Sequence, residues 1–111
     1  MMKSRKRKKL ESAGFHVGSA AEFLELTPEE AALIDLKLSL GTLVRTARTR
    51  ANLSQHRLAG RLHSSQSRVA KLEAGDASVS LDLIVRAAFA AGARRTDLAR
   101  AILRRRRVAV G

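Results

Sequence analysis

Residues 53–75 read LSQHRLAGRLHSSQSRVAKLEAG, and this stretch decides the fold. Its apolar residues recur at the three- and four-residue steps of two short helices. Ser54 and Ser65 precede these helices at N-cap positions, and Gly75 follows the second helix where a left-handed residue is common. We therefore predict helices over 55–62 and 66–74, joined by a turn at His63 and Ser64.

The two predicted helices have an apolar side and a polar side. The apolar residues expected to form the contact between them are Leu58, Ala59, Leu62, Val69 and Leu72. The polar residues expected to face outward are Gln55, Gln66, Ser67, Arg68 and Lys71. Amide, hydroxyl and cationic groups are those that pair with base edges in a DNA major groove, so the pattern favours a DNA-binding function.

A long helix is predicted before this stretch. Thr27 is a cap, Pro28 suits the first helical position, and Glu30 is placed to return a bond to the cap. An apolar stripe predicts that the helix continues to about Asn52, and its members are Leu33, Leu36, Leu40, Val44, Ala47 and Ala51. Gly41 is expected to weaken the middle of this helix by about 1 kcal/mol relative to alanine and to permit a bend.

Three further helices complete the prediction. Ser80 caps a helix over 81–91, which ends at Gly92. A last helix is expected over 94–105, with Leu98, Ile102 and Leu103 folding back on the core. A capping-box pattern over 19–22 predicts a short helix near the start of the chain, with apolar residues at 23, 24 and 26 available for packing.

The composition indicates one small helical domain. The chain has 111 residues, of which 45% are hydrophobic but only 3% aromatic, so aliphatic residues and alanine must build the core. It has no cysteine, which excludes disulfides, thiolate chemistry and zinc fingers. Three histidines and scattered acids provide no catalytic or metal-binding set, so we expect no enzyme activity, no metal and no cofactor. Without a run of about 18 apolar residues we expect no membrane span. The lack of cysteine fits a reducing cytoplasm, where we expect the protein to act.

The charge is strongly positive and unevenly placed. The formal net charge is +12, and residues 1–10 contain six Lys and Arg but no acid. Residues 41–111 are basic as well, whereas residues 11–40 are acidic. We therefore expect a polyanionic partner, with residues 1–18 a flexible basic arm and residues 19–111 the helical domain. The arm either lies on DNA phosphates or acts only as a solubility tail. The arginine run 104–107 either interacts with the negative end of the last helix dipole or adds nonspecific DNA affinity.

The 53–75 stretch resembles the helix-turn-helix of the Xre family, which includes Cro and the lambda repressor. The resemblance is carried by Leu53–Gln55, Leu58-Ala59, Ser65–Ser67, Val69 and Lys71–Gly75, and it covers about residues 40–92. It implies a lambda-repressor-like all-α bundle of about five helices that binds double-stranded DNA. The family usually has glycine at the turn where this chain has His63.

The chemistry of the side chains and the resemblance together predict roles for particular residues. Those expected to read bases are Gln66, Ser67, Arg68 and Lys71; those expected to contact or position phosphates are Gln55, Ser65, Arg45, Arg48, Arg57 and Arg61. Arg48 is also expected to pair with Glu73 at the end of the second helix. Leu83 and Phe89 do not fit the inward stripe of their helix, and are expected to form a dimer surface, a toxin-docking surface, or a contact covered by the last helix.

Residues 23–30 carry a second, less specific resemblance to small HigA-type antitoxins, which accompany RelE/HigB-like toxins. The leading hypothesis is therefore a transcriptional repressor, homodimeric on a palindromic operator, acting as the antitoxin of a type II toxin–antitoxin pair that autoregulates its operon. The alternative is a free-standing Xre-family or phage-type regulator. An RNA-binding protein is less favoured because single-stranded RNA readers generally stack bases on aromatic rings.

Overall fold

The computed structural model describes residues 25–104, and these residues form five α-helices and no strand. The helices are α1 (Pro28–Arg50), α2 (Gln55–Arg61), α3 (Gln66–Glu73), α4 (Leu81–Ala90) and α5 (Arg95–Leu103). The predicted all-α bundle of five helices is thus confirmed. The basic arm 1–18, the capping box 19–22 and the arginines at 105–107 lie outside the described residues. Residues 25–35 belong to a different unit from residues 36–104, and α1 runs through both.

Each of the first four helices begins at the predicted cap. The Glu30 N–H donates to Thr27 Oγ1 at 3.1 Å, and the Thr27 N–H donates to Glu30 Oε1 at 2.8 Å, which is the reciprocal capping box. The hydroxyls of Ser54, Ser65 and Ser80 each accept the backbone N–H three residues later, at 3.0, 3.2 and 3.1 Å. The helix starts are therefore set by local side-chain bonds that satisfy otherwise unpaired donors.

Helices α1 to α4 end in the same way. The residues that follow their C-caps are Asn52, His63, Gly75 and Gly92, which have φ values of 57°, 52°, 69° and 105°. After α3, the Gly75 N–H donates to the Leu72 carbonyl at 3.1 Å and the Asp76 N–H to the Lys71 carbonyl at 3.0 Å. This pair of bonds is the Schellman motif, and the other three ends repeat it. Each helix consequently stops one or two residues before the predicted end.

The core of residues 36–104 is aliphatic and rich in alanine. All five residues predicted at the α2–α3 contact are buried, together with Leu40 and Val44 of α1 and Ile84 of α4. Besides Ala59, the alanines of the core are Ala87, Ala88, Ala91, Ala93 and Ala101. Small side chains let short helices approach closely, so a chain this poor in aromatic residues still closes its interior.

Two expectations about the ends of helices were wrong. Ile102 and Leu103 are 54% and 80% exposed, and Ala101 is the residue of α5 that is buried in the core. Leu98 and Ala101 are three residues apart and share a face of α5, which turns the next two residues outward. In α1, Leu33 is exposed, and Ala51 is exposed because the helix has already ended at Arg50.

The end of α3 packs against α1 with almost no space between their backbones. A Cβ atom built at Gly41 would lie 2.5 Å from the Leu72 carbonyl oxygen and 2.7 Å from that of Glu73. A Cβ at Gly75 would lie 2.9 Å from the Leu38 Cα. Gly41 therefore serves a close helix–helix approach, and this approach positions α3; the bend expected at Gly41 stays a prediction.

Candidate nucleic-acid interface

Helix α3 has one buried side and one exposed polar side. Val69 and Leu72 are fully buried, and Leu58 and Ala59 of α2 are buried as well. The side chains on the exposed side are Gln66, Ser67, Arg68 and Lys71. The contact with α2 therefore holds α3 so that an amide, a hydroxyl and two cations project from the molecule together.

A buried ion pair joins α1 to the last turn of α3. Arg48 Nε lies 2.5 Å from Glu73 Oε2, and Arg48 Nη2 donates to Glu73 Oε1 at 3.1 Å. Their side chains are only 15% and 5% exposed. Arg48 Nη1 also donates to the Leu53 carbonyl at 2.9 Å. The guanidinium thus ties α1, the α1–α2 turn and α3 through charge-assisted bonds, the stronger class of hydrogen bond.

Two glutamines extend this pair to the start of α3. Gln55 Nε2 donates to Glu73 Oε1 at 3.1 Å, and Gln66 Nε2 donates to Gln55 Oε1 at 3.2 Å. Gln55 was expected to face outward, but it is half-buried because it bridges the two ends of α3. Its bond to Glu73 was missed, since nothing in the sequence relates two residues on different helices at that spacing.

The cations expected near phosphates differ in their environment. Arg45 of α1 and Arg57 of α2 are exposed. Arg61 is also exposed, but its Nη1 donates to the Ala90 carbonyl at 2.9 Å, where it complements the negative end of α4. Ser65 caps α3, and its hydroxyl lies 3.2 Å from that of Ser67.

A lysine that the sequence reading did not single out fixes the loop after α3. Lys37 is buried, and its Nζ donates to the Ala77 carbonyl at 3.1 Å. Asp76 Oδ1 accepts the backbone N–H of Ser78 at 2.8 Å and its hydroxyl at 2.6 Å. These bonds order the connection between α3 and α4. The only sequence signal was a lone cation in an otherwise acidic segment.

The structure separates the two residues expected to form a partner surface. Leu83 is half-buried and packs against the core, whereas Phe89 is 46% exposed. Phe89 therefore presents an open aromatic surface on α4, and its use as a dimer or toxin surface stays a prediction.

Asp97 anchors the start of α5. Its Oδ2 accepts the Arg94 backbone N–H at 2.8 Å. That bond is the main cause that lowers the pKa of Asp97 below its ordinary value, and the charges of Arg94, Arg100 and Arg50 lower it further. The carboxylate thus stabilises both the helix start and a cluster of cations around it.

Among residues 25–104, no three His, Asp or Glu side chains lie close enough together to hold a metal ion. Within the same range, no helix has the length and apolar composition needed to cross a bilayer.

Comparison with known proteins places this geometry in a family. The family model described as "Helix-turn-helix domain" matches residues 39–101, which is more than half of the chain and extends from α1 into α5. No curated protein and no solved structure matches significantly. Proteins with this motif bind DNA by placing the second helix of the motif in the major groove. The chain belongs to the helix-turn-helix domain family.

Proposed function

We propose that this DNA-binding protein is a sequence-specific transcriptional repressor that binds its operator as a homodimer. The observation that carries the proposal is the exposed side of α3, where four polar side chains project from a helix whose other side is buried against α2. Two copies are expected because a single recognition helix reads only a short half-site.

The chemistry of each exposed side chain supports a role in base recognition. Gln66 carries an amide, which pairs with N6 and N7 of adenine, and Arg68 carries a guanidinium, which pairs with O6 and N7 of guanine. Each such pair contributes about 1–3 kcal/mol of discrimination against a wrong base. Ser67 and Lys71 lie on the same side and are proposed to contact neighbouring bases, with Lys71 also able to reach a phosphate.

Electrostatics supports the contact with the DNA backbone. The net charge of +12 favours a polyanion, and Arg45 and Arg57 are exposed on the helices next to α3. Gln55 and Ser65 stand at the starts of α2 and α3, and we propose that they contact or position phosphates, which the positive end of a helix dipole attracts. Because each neutralised phosphate releases counterions, the affinity is expected to fall steeply with salt.

The test is binding to a labelled fragment of the protein's own promoter, compared with random duplex of equal length, at several salt concentrations. The promoter is expected to bind more tightly, and the double variant Gln66→Ala/Arg68→Ala is expected to lose that preference while retaining weak, salt-sensitive binding. Arg86→Ala is the matched control, because Arg86 is an exposed cation on α4 and lies outside α2 and α3. Equal affinity of the wild type for random duplex contradicts sequence-specific repression.

We extend the proposal to an antitoxin that acts in the bacterial cytoplasm and regulates its own operon with a RelE/HigB-like toxin as partner. Only the resemblance of residues 23–30 supports this role. An adjacent reading frame whose product copurifies with the protein and is toxic when expressed alone would support it. A neighbouring gene without such a product favours the free-standing Xre-family or phage-type regulator. Duplex and single-stranded RNA competitors in the promoter assay test the RNA-binding alternative.

A further inference from the structure

Four side chains form a continuous chain of hydrogen bonds from the interior to the exposed side of α3. Arg48 donates to Glu73, Gln55 donates to Glu73 Oε1 at 3.1 Å, and Gln66 donates to Gln55 Oε1 at 3.2 Å. The Glu73 side chain is 5% exposed, whereas Gln66 is open to solvent. A buried carboxylate is thus connected, through one intervening amide, to the first residue of the candidate recognition helix. We call this connection from Glu73 through Gln55 to Gln66 the relay.

We propose that Glu73 is a specificity-determining positioning residue, whose carboxylate sets the orientation of the Gln66 amide through Gln55. A carboxylate in an ion pair has acceptor atoms only, whereas an amide has a donor end and an acceptor end. Gln55 must therefore turn its NH₂ group toward Glu73. Its carbonyl oxygen then faces Gln66, which in turn must present its own NH₂ group to Gln55.

This polarity determines what Gln66 offers to a base. With one N–H used by Gln55, Gln66 retains its second N–H and its carbonyl oxygen, a donor and an acceptor together. Adenine presents the complementary pair in the major groove, an acceptor at N7 and a donor at N6. With both amides reversed, the NH₂ group of Gln66 faces outward and complements guanine, whose N7 and O6 are both acceptors.

The orientation is enforced because the alternative is electrostatically unfavourable. Reversing Gln55 alone would place its carbonyl oxygen against the Glu73 carboxylate, so that two acceptors would meet without a proton between them. Glu73 cannot turn away, since its two oxygens are held by Arg48 in a site with little solvent. Such a polar group without a partner is costly in a low-dielectric site.

The inference rests on the proposed base-reading role of Gln66 and deepens it. The experiment selects bound duplexes from a randomised pool, with the full chain and three variants, and reads the preference at each base pair by sequencing. Gln66→Met identifies the base pair that Gln66 contacts, because only there is adenine preference lost. If Gln66→Met changes no position, the proposed role of Gln66 itself fails.

Two variants then test the relay at that base pair. Gln55→Met interrupts the chain but removes neither of the two Arg48–Glu73 bonds. We expect the adenine-to-guanine preference to fall about tenfold, a change of about 1.4 kcal/mol. Glu73→Gln removes the fixed acceptor, because Arg48 faces both terminal atoms of this side chain and therefore cannot select whether the amide oxygen or the NH₂ group lies against Gln55. The orientation of Gln55 and Gln66 is then no longer fixed, and the adenine-to-guanine preference should fall.

The controls separate the relay from a general loss of structure. Thermal unfolding by circular dichroism shows whether each variant is folded, and the preferences at the base pairs of Arg68 and Lys71 should be unchanged. If Gln66→Met alters one base pair while folded Gln55→Met leaves the preference there intact, the relay is overturned and the role of Gln66 survives. The comparison of Gln66→Met with Gln55→Met therefore tests the relay even if the Glu73→Gln protein does not fold.

Discussion

Replacing Gly41 with alanine tests whether direct backbone contact with α1 holds α3, the candidate recognition helix, in place. The added methyl carbon would lie 2.5 Å from the Leu72 carbonyl oxygen and 2.7 Å from that of Glu73. Carbon–oxygen contacts in proteins are normally about 3.3 Å or longer. Both oxygens belong to the backbone of α3, so no side-chain rotation relieves the overlap, and the two helices must move apart by several tenths of an ångström.

Two opposing effects set the magnitude. Overpacking a core costs about 1–3 kcal/mol. Because Gly41→Ala creates two rigid backbone contacts at one site, its overpacking cost is about 3 kcal/mol. Alanine is the better helix former by about 1 kcal/mol, which offsets part of this cost. The net loss is about 2 kcal/mol in the free energy of unfolding, equivalent to a fall in melting temperature of about 8–16 °C for a domain of this size.

The assay is thermal and urea unfolding of the full chain, together with the affinity for its own promoter. Gly60→Ala is the matched control, because this glycine is exposed on α2 and a Cβ there has no neighbour within 4 Å. The control is expected to gain about 1 kcal/mol from helix propensity. The promoter affinity of Gly41→Ala should fall, since the displaced turn carries Glu73. A Gly41→Ala protein as stable as the Gly60→Ala protein would refute the reasoning.

Three other substitutions probe separate features of the fold. Arg48→Ala leaves the buried Glu73 carboxylate without its cation and should cost about 3–5 kcal/mol of stability along with promoter affinity; an unchanged melting temperature and unchanged affinity would contradict this. His63→Gly relieves a left-handed backbone at φ 52° and should stabilise by about 1 kcal/mol, which thermal unfolding measures; a lower melting temperature would show that the turn is not strained. The pKa of Asp97 is lowered in the folded protein, chiefly by the Arg94 N–H. The stability that this carboxylate contributes is therefore complete above its unfolded pKa of about 3.9, and it is lost as the pH falls through the lower pKa of the folded state. Asp97→Asn should therefore unfold more readily than the wild type at pH 7, by an amount that shrinks below about pH 4; a constant difference across that range would rule out the charge as its source.

The local signals in the sequence were sufficient to predict where the helices lie. Ser54, Ser65 and Ser80 each precede a helix, and the hydroxyl of each bonds to a backbone N–H three residues away. The glycines at 75 and 92 end helices for an equally local reason, the ease of a left-handed backbone. His63 stands at the turn where the resembling family usually has glycine, and its φ of 52° is left-handed like those of the two glycines.

Periodicity was less reliable where a helix is short. On α5 the spacing allowed either Ala101 or its larger neighbours to face the core, and hydrophobicity favoured the wrong choice. Ala101 is buried instead, while Ile102 and Leu103 are exposed. A short helix has too few turns for a stripe to specify its rotation, so the surface against which it packs decides.

Pattern and capping chemistry, both readable within a few residues, were enough to place five helices and to put amide, hydroxyl and cationic groups on one side of α3. The contacts that hold this side join residues far apart in the chain, such as Gln55 with Glu73 and Lys37 with Ala77, 18 and 40 positions apart. Gly41 likewise reads as a weak point in a helix until the α3 backbone is seen against it. Interactions of this kind depend on where whole helices lie in space, and no local pattern encodes that position.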